Sequence, residues 1–118
     1  MVSVKSNLFP YRMVLKRREP VQLSVQVKND SGEEKLVSLE VLLPRELGLD
    51  KGGLKSKEVV KIGKLLPNQE KILYFDIFPK STTSKMEYPV NVTLLEHYKD
   101  FNYVNSRHSK ELQLRVDD

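Results

Sequence analysis

Hydrophobic and polar residues alternate with a period of two along most of the chain, the pattern of strands that bury one face. In "VQLSVQVKN", Val21, Leu23, Val25 and Val27 share one face, and Gln22, Ser24, Gln26 and Lys28 the other. "DSGEE" then supplies turn chemistry: Asp30 and Ser31 can bond nearby backbone, and Gly32 accepts a positive φ. "KLVSLEVLL" resumes the alternation with Val37, Leu39, Val41 and Leu43, until Pro44 stops the strand. "PRELGLDKGG" reads as a loop, with room for a single helical turn at residues 45–47. "SKEVVKIGKL" predicts a weaker strand with Val60 and Ile62 inward.

"KILYFDIFP" is a strand with apolar residues on both faces. Leu73, Phe75 and Ile77 lie on one, and Ile72, Tyr74 and Phe78 flank Asp76 on the other. "EYPVNVTLLEH" aligns Tyr88, Val90, Val92 and Leu94, and "KELQLRV" aligns Leu112, Leu114 and Val116. Early in the chain, "FPYRMVLKRR" predicts a first strand offering Tyr11, Met13 and Leu15 to one face. About seven short strands, no amphipathic helix and frequent turn signals predict an all-β, immunoglobulin-like antiparallel β-sandwich. A closed barrel is the alternative, and the length suits a single domain over residues 1–118.

The last two strands predict a hairpin. Buried positions must oppose buried positions, because a slip of one residue turns every side chain over. Pairing Leu94 with Leu112 also pairs Val92 with Leu114, and sets Glu96 against Lys110 and Tyr98 against His108. That register sends His97 and His108 to opposite faces, so no metal site is expected. It leaves a tip, Phe101-Asn102-Tyr103-Val104-Asn105, that carries rings where a turn is usually polar. Either a ring folds back over the open end of the sandwich, or the tip is a recognition surface. Loops on rigid scaffolds concentrate binding residues, and Tyr and Phe give large contact area at low entropic cost. The candidate contact residues are Tyr98, Lys99, Phe101, Tyr103, Val104 and Arg107.

Composition narrows the chemistry. There is no cysteine, and no Gly-rich phosphate loop, G-x-S-x-G or H-E-x-x-H motif. The chain is therefore expected to be no enzyme, with no catalytic residue and no cofactor. The net charge of +4 is uneven, with 13 Lys/Arg and 8 Asp/Glu in residues 1–64 against 7 and 8 in the remainder. Lysines near the tip rings raise single-stranded nucleic acid as an alternative ligand. Lys57 and Lys61, however, fit an edge strand, where lysine blocks sheet-to-sheet aggregation. Carbohydrate is a further alternative for exposed rings on a sandwich.

A protein partner is the first expectation, with nucleic acid behind it and no membrane insertion. "MVSVKSNLFPYRMVLKRREP" has no apolar run of signal-peptide length. Taken as a whole protein the chain would be cytoplasmic; as a domain cut from an exported protein it would be extracellular. The abundant Lys and Glu and the absence of Cys and Trp resemble thermophile composition.

The order of features resembles a family. "EPVQLSVQVKNDSGEE", then "VLLPRELGL", "IGKLLPNQEKILYFDIFP" and "YPVNVTL", are similar to the CARDB group of cell-adhesion-related bacterial domains and to NEW3-type domains, over residues 19–116. The resemblance implies an immunoglobulin-like sandwich and a non-enzymatic interaction or structural module, such as one domain of a cell-surface protein. It also implies a corner role for Tyr88, its hydroxyl bonding the preceding loop. Met86 stands where these domains commonly carry Gly, and the final hairpin, "DFNYVNSRHS", departs from their Asn- and Glu-rich form.

Overall fold

The alternation over residues 21–29 becomes the central strand of a sheet, with Val21, Leu23, Val25 and Val27 almost fully buried. The computed structural model describes residues 2–52 and 54–118. Their strands are β1 (Val2–Phe9), β2 (Arg12–Val14), β3 (Val21–Asn29), β4 (Lys35–Leu42), β5 (Leu47–Gly48), β6 (Lys57–Leu65), β7 (Glu70–Pro79), β8 (Met86–His97) and β9 (Val104–Asp117). They form a four-stranded sheet, β1-β3-β7-β5, and a five-stranded sheet, β2-β9-β8-β4-β6. The two layers enclose one core, to which β4, β8 and β9 bring Val37, Leu39, Val90, Val92, Leu94 and Leu114. The sandwich, rather than the barrel, is the architecture.

Two features of the early chain differ from expectation. The first strand is not residues 9–18 but β1, with Val2 and Val4 buried. The chain then changes sheets at Phe9–Pro10, a cis peptide, and β2 lies parallel to β9. Of the three residues expected inward, only Met13 is buried; Tyr11 is exposed, and Leu15 begins a 3-10 turn and is half-buried. Ser6 interrupts the apolar side of β1, which weakens its pattern in the sequence.

The β8–β9 register also differs. Leu94 faces His108 rather than Leu112, four positions earlier, while Val90 faces Leu112 and Tyr88 faces Leu114. An even slip keeps every side chain on its face, so the inward set of each strand is unchanged. Tyr88 is buried, and its hydroxyl lies 3.0 Å from the Ser84 N–H and 3.2 Å from the Ser84 carbonyl, the corner arrangement.

The turn after β3 is held less by Asp30 than by Asn29, which is fully buried. Its amide donates to the carbonyls of Glu33 and Leu65, both at 2.9 Å, and its Oδ1 accepts from the Ser31 N–H and hydroxyl. This one side chain ties β3 to the end of β6 in the other sheet. Val2, the 30–34 turn and the β8–β9 loop thus share one end of the sandwich. Asp117, paired with Val14, lies at the other, along a longest dimension of 47 Å.

Candidate functional site

The β8–β9 loop is a tight, bonded structure rather than an open coil. The Tyr98 N–H donates to the Tyr103 carbonyl at 2.9 Å, closing the neck. Inside it, the Asp100 N–H donates to the Tyr98 carbonyl at 2.8 Å, a three-residue turn centred on Lys99 at φ 68°. That form is rare and strained for a residue other than glycine. The Asp100 side chain accepts the Asn102 N–H at 2.9 Å, fixing the second half of the turn. The tip is therefore residues 98–103, beginning three positions and ending two positions earlier than the 101–105 read from the sequence.

The structure divides the rings between two jobs. Phe101 folds back and is half-buried, its ring packed edge-on to His97 at 5.1 Å, with the Lys61 ammonium 5.3 Å from its centroid. It does not enter the core between the sheets; His97 and Lys61 belong to the outer face of the five-stranded sheet. Tyr98, Tyr103 and Val104 remain open to solvent at 61%, 59% and 48%. Lys99 stands over the Tyr98 ring at 5.4 Å. Arg107 is exposed on β9 opposite Leu95, away from the turn itself. Tyr98, Lys99, Tyr103 and Val104 thus form one exposed group, Phe101 anchors it, and Arg107 stands apart.

His97 and His108 do face opposite sides. Alternation past the inward Glu96 sends His97 outward, where its Nε2 lies 2.6 Å from the Ser38 hydroxyl. A hydroxyl this close to an imidazole is the spacing of a nucleophile and its base. Ser38 is only 2% exposed in the middle of a strand, though, so no substrate reaches it and the pair is structural.

His108 faces the inner side, its Nε2 3.2 Å from Glu96. Glu96 was expected to face Lys110; it takes Ser106 at 3.0 Å and Lys35 at 3.9 Å instead. Lys110 reaches across to the Val4 carbonyl at 2.7 Å. Among the described residues no three His, Asp or Glu side chains converge as a metal site requires.

Sequence reasoning missed a groove beside the tip. A cavity of about 420 Å³ opens between the 30–34 turn and the hairpin, lined by Glu33, Lys35, Lys64, Glu96, Tyr98 and Lys99. Glu96 in its lining is buried, with a lysine, a histidine and a serine as polar neighbours. The signal was present: Glu96 continues the inward series Tyr88, Val90, Val92, Leu94.

No family model matches the chain, and no curated protein matches it. Among solved structures it is similar to the CARDB domain of a Pyrococcus furiosus protein, crystallised in complex with di-metal ions. That likeness has a TM-score of 0.63 and 20% identity, over 99% of this chain and 93% of that one. The fold is that of a CARDB domain. A second likeness is to the alkylpurine DNA glycosylase AlkC of Pseudomonas fluorescens, bound to DNA containing an abasic site analog. It has a TM-score of 0.50 and 17% identity, and it takes in 97% of this chain but 30% of the enzyme. The first neighbour is one domain of a larger protein, and the second is matched over under a third of its length. Neither likeness transfers a ligand, since at 20% and 17% identity each shows the fold alone.

Proposed function

We propose that this chain is a non-enzymatic interaction module of a larger protein, and that its contact surface is the tip of the β8–β9 hairpin with the adjoining groove. One observation carries the reading. Tyr98, Tyr103 and Val104 stay exposed on a turn whose backbone is bonded and strained at Lys99, while Phe101 is used to lock that turn in place. Strain that the surroundings hold in place is a mark of functional turns. A pre-ordered tip presenting amphipathic rings loses little entropy on binding, which is how aromatic anchors work at protein interfaces. The groove beside them carries both signs of charge, Glu33 and Glu96 with Lys35 and Lys64, and so suits a polypeptide better than a polyanion.

The experiment is site-specific photocrosslinking in the source cell, with a photoreactive phenylalanine at position 103 and, as control, at the exposed position 11 at the opposite end. A discrete protein adduct at 103, lost when Tyr98→Ala is added and absent at 11, is the expected result. Equal labelling at both positions, or none at 103, refutes the reading.

Single-stranded nucleic acid is the second reading, supported by the lysines beside the rings. Lys61 and Lys99 already occupy faces of Phe101 and Tyr98, however, which leaves Tyr103 as the free stacking platform on the tip. Oligothymidine binding at about 20 mM salt that collapses by 200 mM would favour this reading over the first.

A further inference from the structure

The inner side of β9 changes character along its length. Leu114 and Val116 are buried in the core, but Lys110 and His108, inward positions nearer the hairpin tip, are polar and lie opposite Val92 and Leu94 of β8. Polar heads on an inner face must find partners or reach water.

Here they meet an open side of the sandwich. β1 pairs only with β3, and β2 covers β9 only at residues 115–117, so no backbone ladder joins β1 to β9. A cavity of about 200 Å³ lies between them, lined by Val2, Ser3 and Val4 of β1, Val92 of β8, and His108 and Lys110 of β9. The valines give it an apolar wall. The Lys110 ammonium donates to the Val4 carbonyl at 2.7 Å, which uses one of its three N–H groups. Among the described residues no carboxylate pairs with that ammonium. Glu96, the inward carboxylate of β8, is engaged by Lys35 at 3.9 Å and by the His108 Nε2 at 3.2 Å instead.

We infer that this slot binds a small monocarboxylic acid with an apolar body, its carboxylate on the Lys110 ammonium and its hydrocarbon part against Val2, Val4 and Val92. An apolar recess with a few convergent polar groups is the usual form of a small-molecule site. Volume sets the size of the guest. A dry cavity of about 150 Å³ takes benzene, so about 200 Å³ takes one ring or a short branched chain with its carboxylate. Charge sets the head group. One unpaired cation balances one negative charge, and the Glu96 carboxylate beside His108 would repel the second charge of a phosphate ester or a dicarboxylate. The guest touches both sheets where no ladder joins them, so its binding also stabilises the fold. The slot shares no lining residue with the groove beside the tip, and each can be tested without the other.

The test is a titration of the full chain with sodium benzoate at constant ionic strength, read by methyl-resolved NMR and by the melting midpoint. A range reaching about 20 mM covers the millimolar affinities of so small a ligand. Saturable shifts centred on the methyls of Val2, Val4 and Val92, with a rising midpoint, are the expected result. Benzyl alcohol has the ring without the charge, and acetate the charge without the ring; each should bind at least tenfold more weakly. Lys110→Met keeps the apolar stem and removes the charge, and should lower benzoate affinity at least tenfold. Should that variant misfold, the comparison of benzoate with benzyl alcohol on the unmodified chain decides alone. No saturable shift within the range, benzyl alcohol binding as well as benzoate, shifts centred elsewhere, or binding undiminished in a folded Lys110→Met would each overturn the inference.

Discussion

Replacing Phe101 with Ala separates a ring that holds the tip from rings that decorate it. Half-burial of a phenylalanine is worth about 1 kcal/mol, half the usual 1.5–3 kcal/mol for full burial. The edge-on contact with His97 adds about 0.5–1.5 kcal/mol, and the Lys61 ammonium over the ring about 0.5–1 kcal/mol. The expected loss is therefore about 2–3.5 kcal/mol, or about 8–14 °C in melting midpoint for a chain of this size. Tyr103→Ala, which removes an exposed ring with no such neighbours, should stay within about 0.5 kcal/mol. Phe101→Leu, keeping apolar bulk but neither ring interaction, should fall between the two. Urea unfolding followed by far-UV circular dichroism measures all three, and an unchanged m-value would confirm that only the native state was altered. If Phe101→Ala costs no more than Tyr103→Ala, then the ring is not an anchor, and the claim of a pre-ordered tip fails with it.

Asn29→Asp keeps the shape of a buried side chain while removing both N–H donors. The Glu33 and Leu65 carbonyls would each lose the Asn29 donor beside a buried carboxylate, so a loss of about 3 kcal/mol or more is expected by urea unfolding. Gly63 sits at φ +96° in the β6 bulge, and nothing lies within 4 Å of where a Cβ would stand. Gly63→Ala should therefore cost about 1–2 kcal/mol through backbone conformation alone, with no change in packing visible in core methyl NMR shifts.

The faces of the strands were legible in the sequence because each carries its own period. Val21 to Val27, Val37 to Leu43 and Tyr88 to Leu94 are buried where the alternation places them. The partner of each residue was not legible in the same way. Matching apolar with apolar is satisfied equally by any even slip, and the chosen register lies four positions from the one adopted. What decides the difference is the tip. A tight turn at Lys99 and a bulge after Glu96 draw His108 and Lys110 opposite Leu94 and Val92, and no hydrophobic pattern encodes that.

The placement of the candidate contact residues was partly legible for the same reason. Rings in a turn are conspicuous, but which of them folds back depends on His97 and Lys61, brought close only by the sheet. The groove stayed hidden because Glu33 and Lys64 come from β-turn and edge-strand positions that read as ordinary solvated charge.

The two ends of the described chain lie at opposite poles of the molecule, Val2 beside Asn29 and Asp117 beside Val14. A pull applied through them runs parallel to the strands. It drags β1 lengthwise past β3 and β9 past β8, so rows of backbone bonds are strained together instead of parting one after another. Such a pull is a shearing one, whereas a force that peels a sheet from the side would part the same bonds singly.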